Sequence, residues 1–510
     1  MPVFKAAFDA GAAAVMCSYN KVYGEHTCQN SRLLKDLLRR DLGFQGFVMS
    51  DWGATHNATA SVLGGLDVEM PTGKHVKDIS AVFWTNDKLE PAVDEMATHV
   101  LSSMHYVGQF DGRFPVEGML PKYGAIDSDA TSDAHRLVAR TVIEDSAVLL
   151  KNSKDALPLQ TKGLKIAMVG HFCNETEDKK YKQGSVWSGG GSGYVFTDKG
   201  TTPLQGVKAH IKDAASIEFS KDVAAAAAAD VAVICVAAHG EEGWDRANFS
   251  LPEAAELAAG VRKTNSKAKI VVLAAVPGAV TTEWLEGVDA ALLMFMPGEQ
   301  VGPAVARLLT GEAQPSGRLP ISLPKQDEKR FTTKQYPGEC PGKQKWCEHL
   351  IANFSEDVLV GYRWNDAKGV PSAFPFGFGL AYTEFELKDF DVQCSDGSIK
   401  VSLQVANVGS HAGSAVPQVY VGFPSLKPAL RQLRGFSKVK LEKGKEMTVH
   451  FELGEEDWSY FDVGLQRWVS AAEKGEKVTV SIGTSSADLV HTKELACGHG
   501  EKVNVRRVLQ

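Results

Sequence analysis

Gly46-Phe47-Val48-Met49-Ser50-Asp51-Trp52-Gly53 is a short apolar run that stops on a carboxylate, and its reading decides how the first part of the chain folds. An uninterrupted apolar run of this length marks a strand of a parallel sheet covered on both faces. A carboxylate directly after such a strand stands at its C-terminal edge, where α/β proteins assemble their active sites. Trp52 offers a flat ring able to stack on the apolar face of a sugar. The same residues also fit a plainer role, in which Asp51 caps the next helix and Trp52 fills core.

Working outward, Ala12 to Tyr19 is a continuous apolar run, expected as a strand buried on both faces. Asn30 and Ser31 offer an N-cap for the Leu-rich, basic stretch Leu33 to Leu42. Leu66 to Met70 reads as a third strand and Pro91 to Tyr106 as a helix. Three such strands are parallel-sheet units, yet they cannot close a barrel alone. After a loop rich in Asp, Ser and Pro, a second alternating region begins near Ser132. Its expected strands are Ala147 to Leu150, Lys165 to Gly170, Val231 to Ala237, Lys269 to Val276 and Ala290 to Met296, with helices at Val223 to Ala229 and Pro252 to Thr264. Lys325 to Ser372 is polar, punctuated by Cys and Pro, and reads as a linker. From Phe385 onward, alternating runs at Val401 to Val405, Val416 to Val421, Met447 to Leu453 and Lys477 to Ile482 predict an antiparallel sandwich.

The 510 residues carry a formal charge of -7 and a pI near 6.1, without the concentrated basic surface that nucleic acids or anionic membranes require. No apolar run is long enough to cross a bilayer. The cysteines form no C-x-x-C pair, which leaves a zinc ribbon or thioredoxin-like site without support. Cys17 with Cys28, and Cys340 with Cys347, are spaced as candidate disulfides or as reduced thiols. N-x-[ST] triplets at Asn57, Asn174, Asn248 and Asn353 are candidate glycosylation sites and tilt the reading toward secretion. The opening Met1 to Asp9 has no basic start followed by an apolar core, so no signal peptide is read there.

A second acidic segment, His239-Gly240-Glu241-Glu242-Gly243-Trp244-Asp245-Arg246, follows the Val231–Ala237 run. It is either a solvated charged turn or a loop that presents a carboxylate, with Asp245 and Arg246 as a local ion pair. The glycine-rich Trp187-Ser188-Gly189-Gly190-Gly191-Ser192-Gly193-Tyr194 lacks the G-x-x-x-x-G-K-[ST] pattern. It reads as a loop that must approach a ligand or another domain closely, not as a phosphate cradle. There is no H-E-x-x-H, nucleophile elbow or regular metal-ligand spacing, so no metal and no cofactor is expected. Two acidic loops remain. A retaining glycosidase needs two carboxylates about 5–5.5 Å apart, one to attack the anomeric carbon and one to protonate the leaving oxygen.

At this point the residues resemble glycoside hydrolase family 3. The resemblance runs from Val15-Met16-Cys17-Ser18-Tyr19-Asn20 through Ser50-Asp51-Trp52 and Gly65-Leu66-Asp67-Val68-Glu69-Met70-Pro71. It continues with Val148-Leu149-Leu150-Lys151-Asn152, the glycine loop, Pro315-Ser316-Gly317-Arg318-Leu319-Pro320, Pro375-Phe376-Gly377-Phe378-Gly379-Leu380 and Leu433-Arg434-Gly435-Phe436. It implies a multidomain α/β plus β architecture: the C-terminal part of a (β/α)8-type barrel, an α/β sandwich and a fibronectin type III-like β-sandwich. On this sequence these fall at 1–118, 119–324 and 376–510, with a linker at 325–375.

The resemblance implies Asp51 as nucleophile, and Glu242 as acid/base because Glu242-Gly243-Trp244-Asp245-Arg246 matches the family's E-G-[YW]-D-R loop; Glu241 is the competing choice. Tyr19 and Trp52 are implied to line the sugar pocket. The implied activity is retaining β-glucosidase action on β-glucosides or cello-oligosaccharides. The family's earlier barrel strands have no counterpart here, so the chain resembles an N-terminally truncated, otherwise secreted member. Competing readings are a non-catalytic carbohydrate-binding fragment and a transglycosylase or phosphorylase; a homodimer is left open. Catalysis further requires folding to bring the Asp51 and Glu242 carboxylates face to face.

Overall fold

The computed structural model describes residues 2–111, 130–175, 184–185, 187–326, 334–343, 347, 349–395, 397–427 and 429–498. The boundary expected at 118/119, and most of the Asp/Ser/Pro-rich loop around it, lie outside the described residues. The chain divides into two compact units, Met1–Ala130 and Thr131–Gln510, each taken by itself below.

In the first unit, strand β1 (Ala14–Cys17) pairs in parallel with β2 (Phe47–Ser50), Cys17 opposite Ser50. Asn30, not Ser31, opens the intervening helix Arg32–Asp41: its side chain accepts the Leu33 N–H at 3.1 Å, while Ser31 makes no cap bond. The helix is more widely wound than an α-helix, with Leu42 N–H bonded back to Leu37 at 3.0 Å. The third expected strand shrinks to a bridge between Val68 and Met49.

β1 also departs from expectation. Ala14 and Met16 are exposed and only Cys17 is buried, because among the described residues β1 has a strand neighbour on one side only. Core forms instead where β2 meets the helices: Val48, Leu34, Leu38, Phe44 and Leu66 are buried together. Asp67 fastens this arrangement from within. Its carboxylate is 2.6 Å from Arg39 Nη2 and 2.8 Å from His99 Nδ1, and accepts the Val48 N–H at 2.7 Å. Helix Arg32–Asp41, strand β2 and helix Leu89–Tyr106 therefore converge on one buried side chain.

The second unit opens with helix Asp133–Ser146, capped by the Ser132 side chain. Six strands follow: β3 (Val148–Asn152), β4 (Lys165–Val169), β5 (Ser216–Ser220), β6 (Val231–Ala237), β7 (Lys269–Ala275) and β8 (Ala290–Met294). They form one sheet in the order β3-β8-β7-β6-β4-β5, parallel except for the antiparallel edge strand β3.

Side chains alternate across a strand, and both faces of this sheet are covered. Val231, Val233 and Cys235 pack with Val271 and Leu273 beneath helices Pro203–His210 and Val301–Thr310. Ala232, Ile234 and Val236 pack with Ile270 and Val272 beneath helix Pro252–Thr264. That double coverage explains why β6 carries no polar alternation. The expected alanine helix is instead a short 3-10 segment, Ala224–Ala228, on the connection from β5 to β6. β5 was not anticipated at all.

Beyond the sheet, the expected linker has structure. Cys340 and Cys347 are joined, Glu339 bridges Ile351, and Tyr362–Lys368 is a short helix. The segment Pro375–Thr383 then ties the sheet to the sandwich. Leu380 N–H bonds Leu149 O at 2.9 Å, Tyr382 Oη donates to Leu308 O at 2.8 Å, and Gln418 Nε2 donates to Gly377 O at 3.0 Å. The sandwich has two antiparallel sheets. One is β9 (Phe385–Ser395), β10 (Ser398–Asn407) and β13 (Glu446–Leu453). The other runs β12-β11-β14-β15, from β11 (Gln418–Phe423), β12 (Leu430–Phe436), β14 (Val478–Gly483) and β15 (Leu489–Leu495). Val401, Leu403, Val419, Val421, Val480 and Trp458 meet between them.

Candidate active site

Asp51 occupies the residue after β2, at the strand's C-terminal end. Its N–H bonds Cys17 O at 3.1 Å, so the end of β1 sets its backbone. The Cys17–Cys28 disulfide anchors that strand end in turn. Its Oδ1 accepts the Trp52 N–H at 2.7 Å, and its carbonyl accepts the Ala54 N–H at 3.1 Å, closing a turn through Gly53. The capping alternative does not describe this site. The next helix, Ala58–Gly64, is capped by Asn57, whose side-chain oxygen accepts the Ala60 N–H at 2.8 Å. Nor does Trp52 fill core: it is 52% exposed, and Tyr19 at the end of β1 is 55% exposed.

Glu242 belongs to the second unit, in the loop after β6. The strand order explains its place. From β4 the chain moves outward to β5 and then returns to β6 on the other side of β4, so the direction of winding reverses between β4 and β6. At such a switch point the loops following the two strands diverge and leave a crevice at the sheet's C-terminal edge. The glycine-rich loop lies on the β4-to-β5 connection and the acidic loop on the β6 connection. A disulfide, Cys173–Cys235, ties the turn after β4 to β6 at this point. Sequence reading missed that pair and Cys394–Cys497, because partners 62 and 103 residues apart are joined only by the fold.

The two loops meet along a bridge between Gly190 and Glu241. The adjacent glutamates part company there. Glu241 lies 3.4 Å from His239 Nε2, its side chain largely covered. Glu242 is exposed, and its Oε2 accepts the Ser192 N–H at 2.6 Å. They border a cleft of about 350 Å³ lined also by Ser188, Trp244, Pro277 and Met296. The expected Asp245–Arg246 ion pair is replaced. Asp245 accepts from Tyr336 Oη at 3.2 Å, which raises the tyrosine's pKa above its ordinary value. Arg246 donates to Ala279 O at 2.7 Å and lies over the Phe249 ring; burial lowers its pKa. Adjacent side chains on a turn diverge, so each found a partner elsewhere. The sequon residues Asn57, Asn174, Asn248 and Asn353 are all exposed. Among the described residues there is no cluster of three metal-ligating side chains, and no helix is long and apolar enough to cross a membrane.

Part of a barrel, an α/β sandwich and a β-sandwich, in that order along the chain, is the multidomain architecture of glycosyl hydrolase family 3. The family models agree. Residues 1–103 match the glycosyl hydrolase family 3 N-terminal domain, 147–382 the family 3 C-terminal domain and 415–486 a fibronectin type III-like domain. The chain belongs to glycosyl hydrolase family 3. It is 33% identical to probable beta-glucosidase L of Emericella nidulans, covering 95% of this chain and 71% of that protein. It is 30% identical to thermostable beta-glucosidase B of Acetivibrio thermocellus, over 96% of this chain and 64% of that one. Among solved structures, a β-glucosidase from Chaetomella raphigera superposes with a TM-score of 0.86 at 28% identity, covering 97% of this chain and 74% of its own. β-Glucosidase 3B of Thermotoga neapolitana in complex with α-D-glucose superposes at 0.81 and 27% identity, covering 96% and 71%.

Proposed function

We propose that this protein hydrolyses terminal, non-reducing β-D-glucosyl residues with retention of configuration, Asp51 acting as nucleophile and Glu242 as acid/base. The observation that carries the reading is the condition of Asp51: a carboxylate at a parallel-strand end, not spent as a helix cap and flanked by exposed Trp52 and Tyr19. In the first step Asp51 bonds to the anomeric carbon, the glycosidic C–O bond breaks, and Glu242 gives its proton to the departing oxygen. In the second, Glu242 takes a proton from water as the water oxygen displaces Asp51, releasing β-D-glucose. Tyr19 and Trp52 supply apolar surface to the sugar ring. Glucose bound in the Thermotoga neapolitana relative supports the substrate class. Four disulfides and the exposed sequons support an extracellular setting with glycans at Asn57, Asn174, Asn248 and Asn353.

The test is trapping with 2,4-dinitrophenyl 2-deoxy-2-fluoro-β-D-glucoside, whose fluorine slows the second step and lets the covalent glycosyl-enzyme accumulate. Peptide mass mapping is expected to find the label on Asp51. A label on another residue, or undiminished glucosidase turnover by Asp51→Asn, removes Asp51 from this role. Product analysis with and without phosphate separates hydrolysis from phosphorolysis.

A further inference from the structure

Resting on that reading, we infer that Gly191 and Ser192 form a backbone clamp that positions the Glu242 carboxylate for proton transfer. A glutamate on an exposed turn loses rotamer freedom worth up to about 2 kcal/mol when held in one geometry. Proton transfer nevertheless demands a fixed carboxylate. The glycine loop supplies a hold. Gly190 N–H bonds Gly240 O at 3.3 Å and Glu242 N–H bonds Gly190 O at 3.4 Å, so the loops run side by side. One residue on, the Ser192 N–H donates to Glu242 Oε2 at 2.6 Å.

Gly191 makes that approach possible. Its φ of +91° lies in the left-handed region, and a Cβ there would stand 2.8 Å from Glu242 Oε2 and closer still to Glu242 Cβ. No side chain fits between the loops, so residue 191 controls whether the carboxylate reaches its donor. Gly193, two residues away, is the contrast: it is not in the left-handed region, and a Cβ added there meets nothing within 4 Å. Ser192 acts through its main chain, so its hydroxyl is dispensable to the clamp. Gly191 and Ser192 are positioning residues; neither need touch the sugar.

The experiment compares Gly191→Ala, Gly193→Ala and Glu242→Ala in the full gene product, on two substrates. Phenyl β-D-glucoside needs its leaving oxygen protonated; 2,4-dinitrophenyl β-D-glucoside leaves without help. Gly191→Ala is expected to lower kcat/KM about 100-fold on the phenyl substrate, the scale of a displaced catalytic group, and less than about 3-fold on the dinitrophenyl one. Gly193→Ala is expected to match the parent on both. Equal losses on both substrates, or none, overturn the clamp.

Crystal structures of the parent and of Gly191→Ala give a readout independent of turnover. Displacement of the Glu242 carboxylate from Ser192 N is expected, and its retention within hydrogen-bond distance refutes the clamp. Glu242→Ala keeps the two readings apart. If it shows no leaving-group discrimination and no rescue by azide, Glu242 is not the acid/base, whatever the crystal structure says of the loop.

Discussion

Replacing Asp67 by alanine tests whether the strand that delivers Asp51 is held from below by a buried carboxylate. The Asp67 side chain is 2% exposed, while Arg39 and His99 beside it are 15% and 21% exposed. Burial lowers the Arg39 pKa from its ordinary value, with attraction to Asp67 and Glu95 pulling the other way. Removing the carboxylate therefore strands a cation already penalised by its surroundings, a loss of about 3–5 kcal/mol for a buried pair broken on one side. The Val48 N–H, bonded to Asp67 at 2.7 Å, loses its side-chain acceptor as well. Taking about 4 kcal/mol, the opening equilibrium of β2 rises nearly a thousandfold. Hydrogen exchange followed by mass spectrometry on peptides covering 47–50 reads this directly, with peptides of β6 as an internal standard. Arg39→Met added to Asp67→Ala should recover part of the protection, since the orphaned charge goes with it. Protection at 47–50 within threefold of the parent would refute the reasoning.

Other consequences are as specific. Tyr382→Phe deletes one buried hydrogen bond to Leu308 O and should cost about 1–2 kcal/mol in denaturant unfolding of the second unit, with no loss of turnover. Gly377→Ala forces a Cβ into the Gln418 side chain at a φ of +84°, so calorimetry should show the sheet domain and the sandwich melting further apart. Asn57→Ala should lose about 1 kcal/mol with its cap, whereas Asn57→Asp keeps the cap and removes only the sequon; glycopeptide mapping and thermal melts separate the two effects. Replacing Cys394 and Cys497 by serine frees a 103-residue separation and should destabilise the sandwich by up to about 4–5 kcal/mol, visible as a lowered Tm without reductant.

Much of the second unit was readable because local signals and tertiary environment agree. Helix Pro252–Thr264 and strand Val231–Ala237 stand where periodicity and propensity put them. Strand Ser216–Ser220 escaped because S-I-E-F-S is short, half-buried and at the sheet edge, so no apolar run marks it. The alanine segment misled for the opposite reason: propensity favoured an α-helix, and the segment is a 3-10 turn, since propensity is a weak prior that tertiary context overrides. Asp51 was legible as the residue that ends a strand, and Glu242 as part of an acidic loop.

What distinguishes Glu242 from Glu241 was not local. The resemblance to known family members favoured one of them, but only the packed loops show one glutamate turned to His239 and the other held by the Ser192 N–H. The sequence by itself determined the kinds of element, their order and the acidic segments at strand ends, because side-chain alternation, turn chemistry and motif spacing act over a few residues. The strand order that makes a switch point beside Glu242, the two long-range disulfides and the convergence of Arg39, Val48 and His99 on Asp67 were decided by tertiary structure. Each depends on groups far apart in the chain, whose attraction exists only after the core has brought them together.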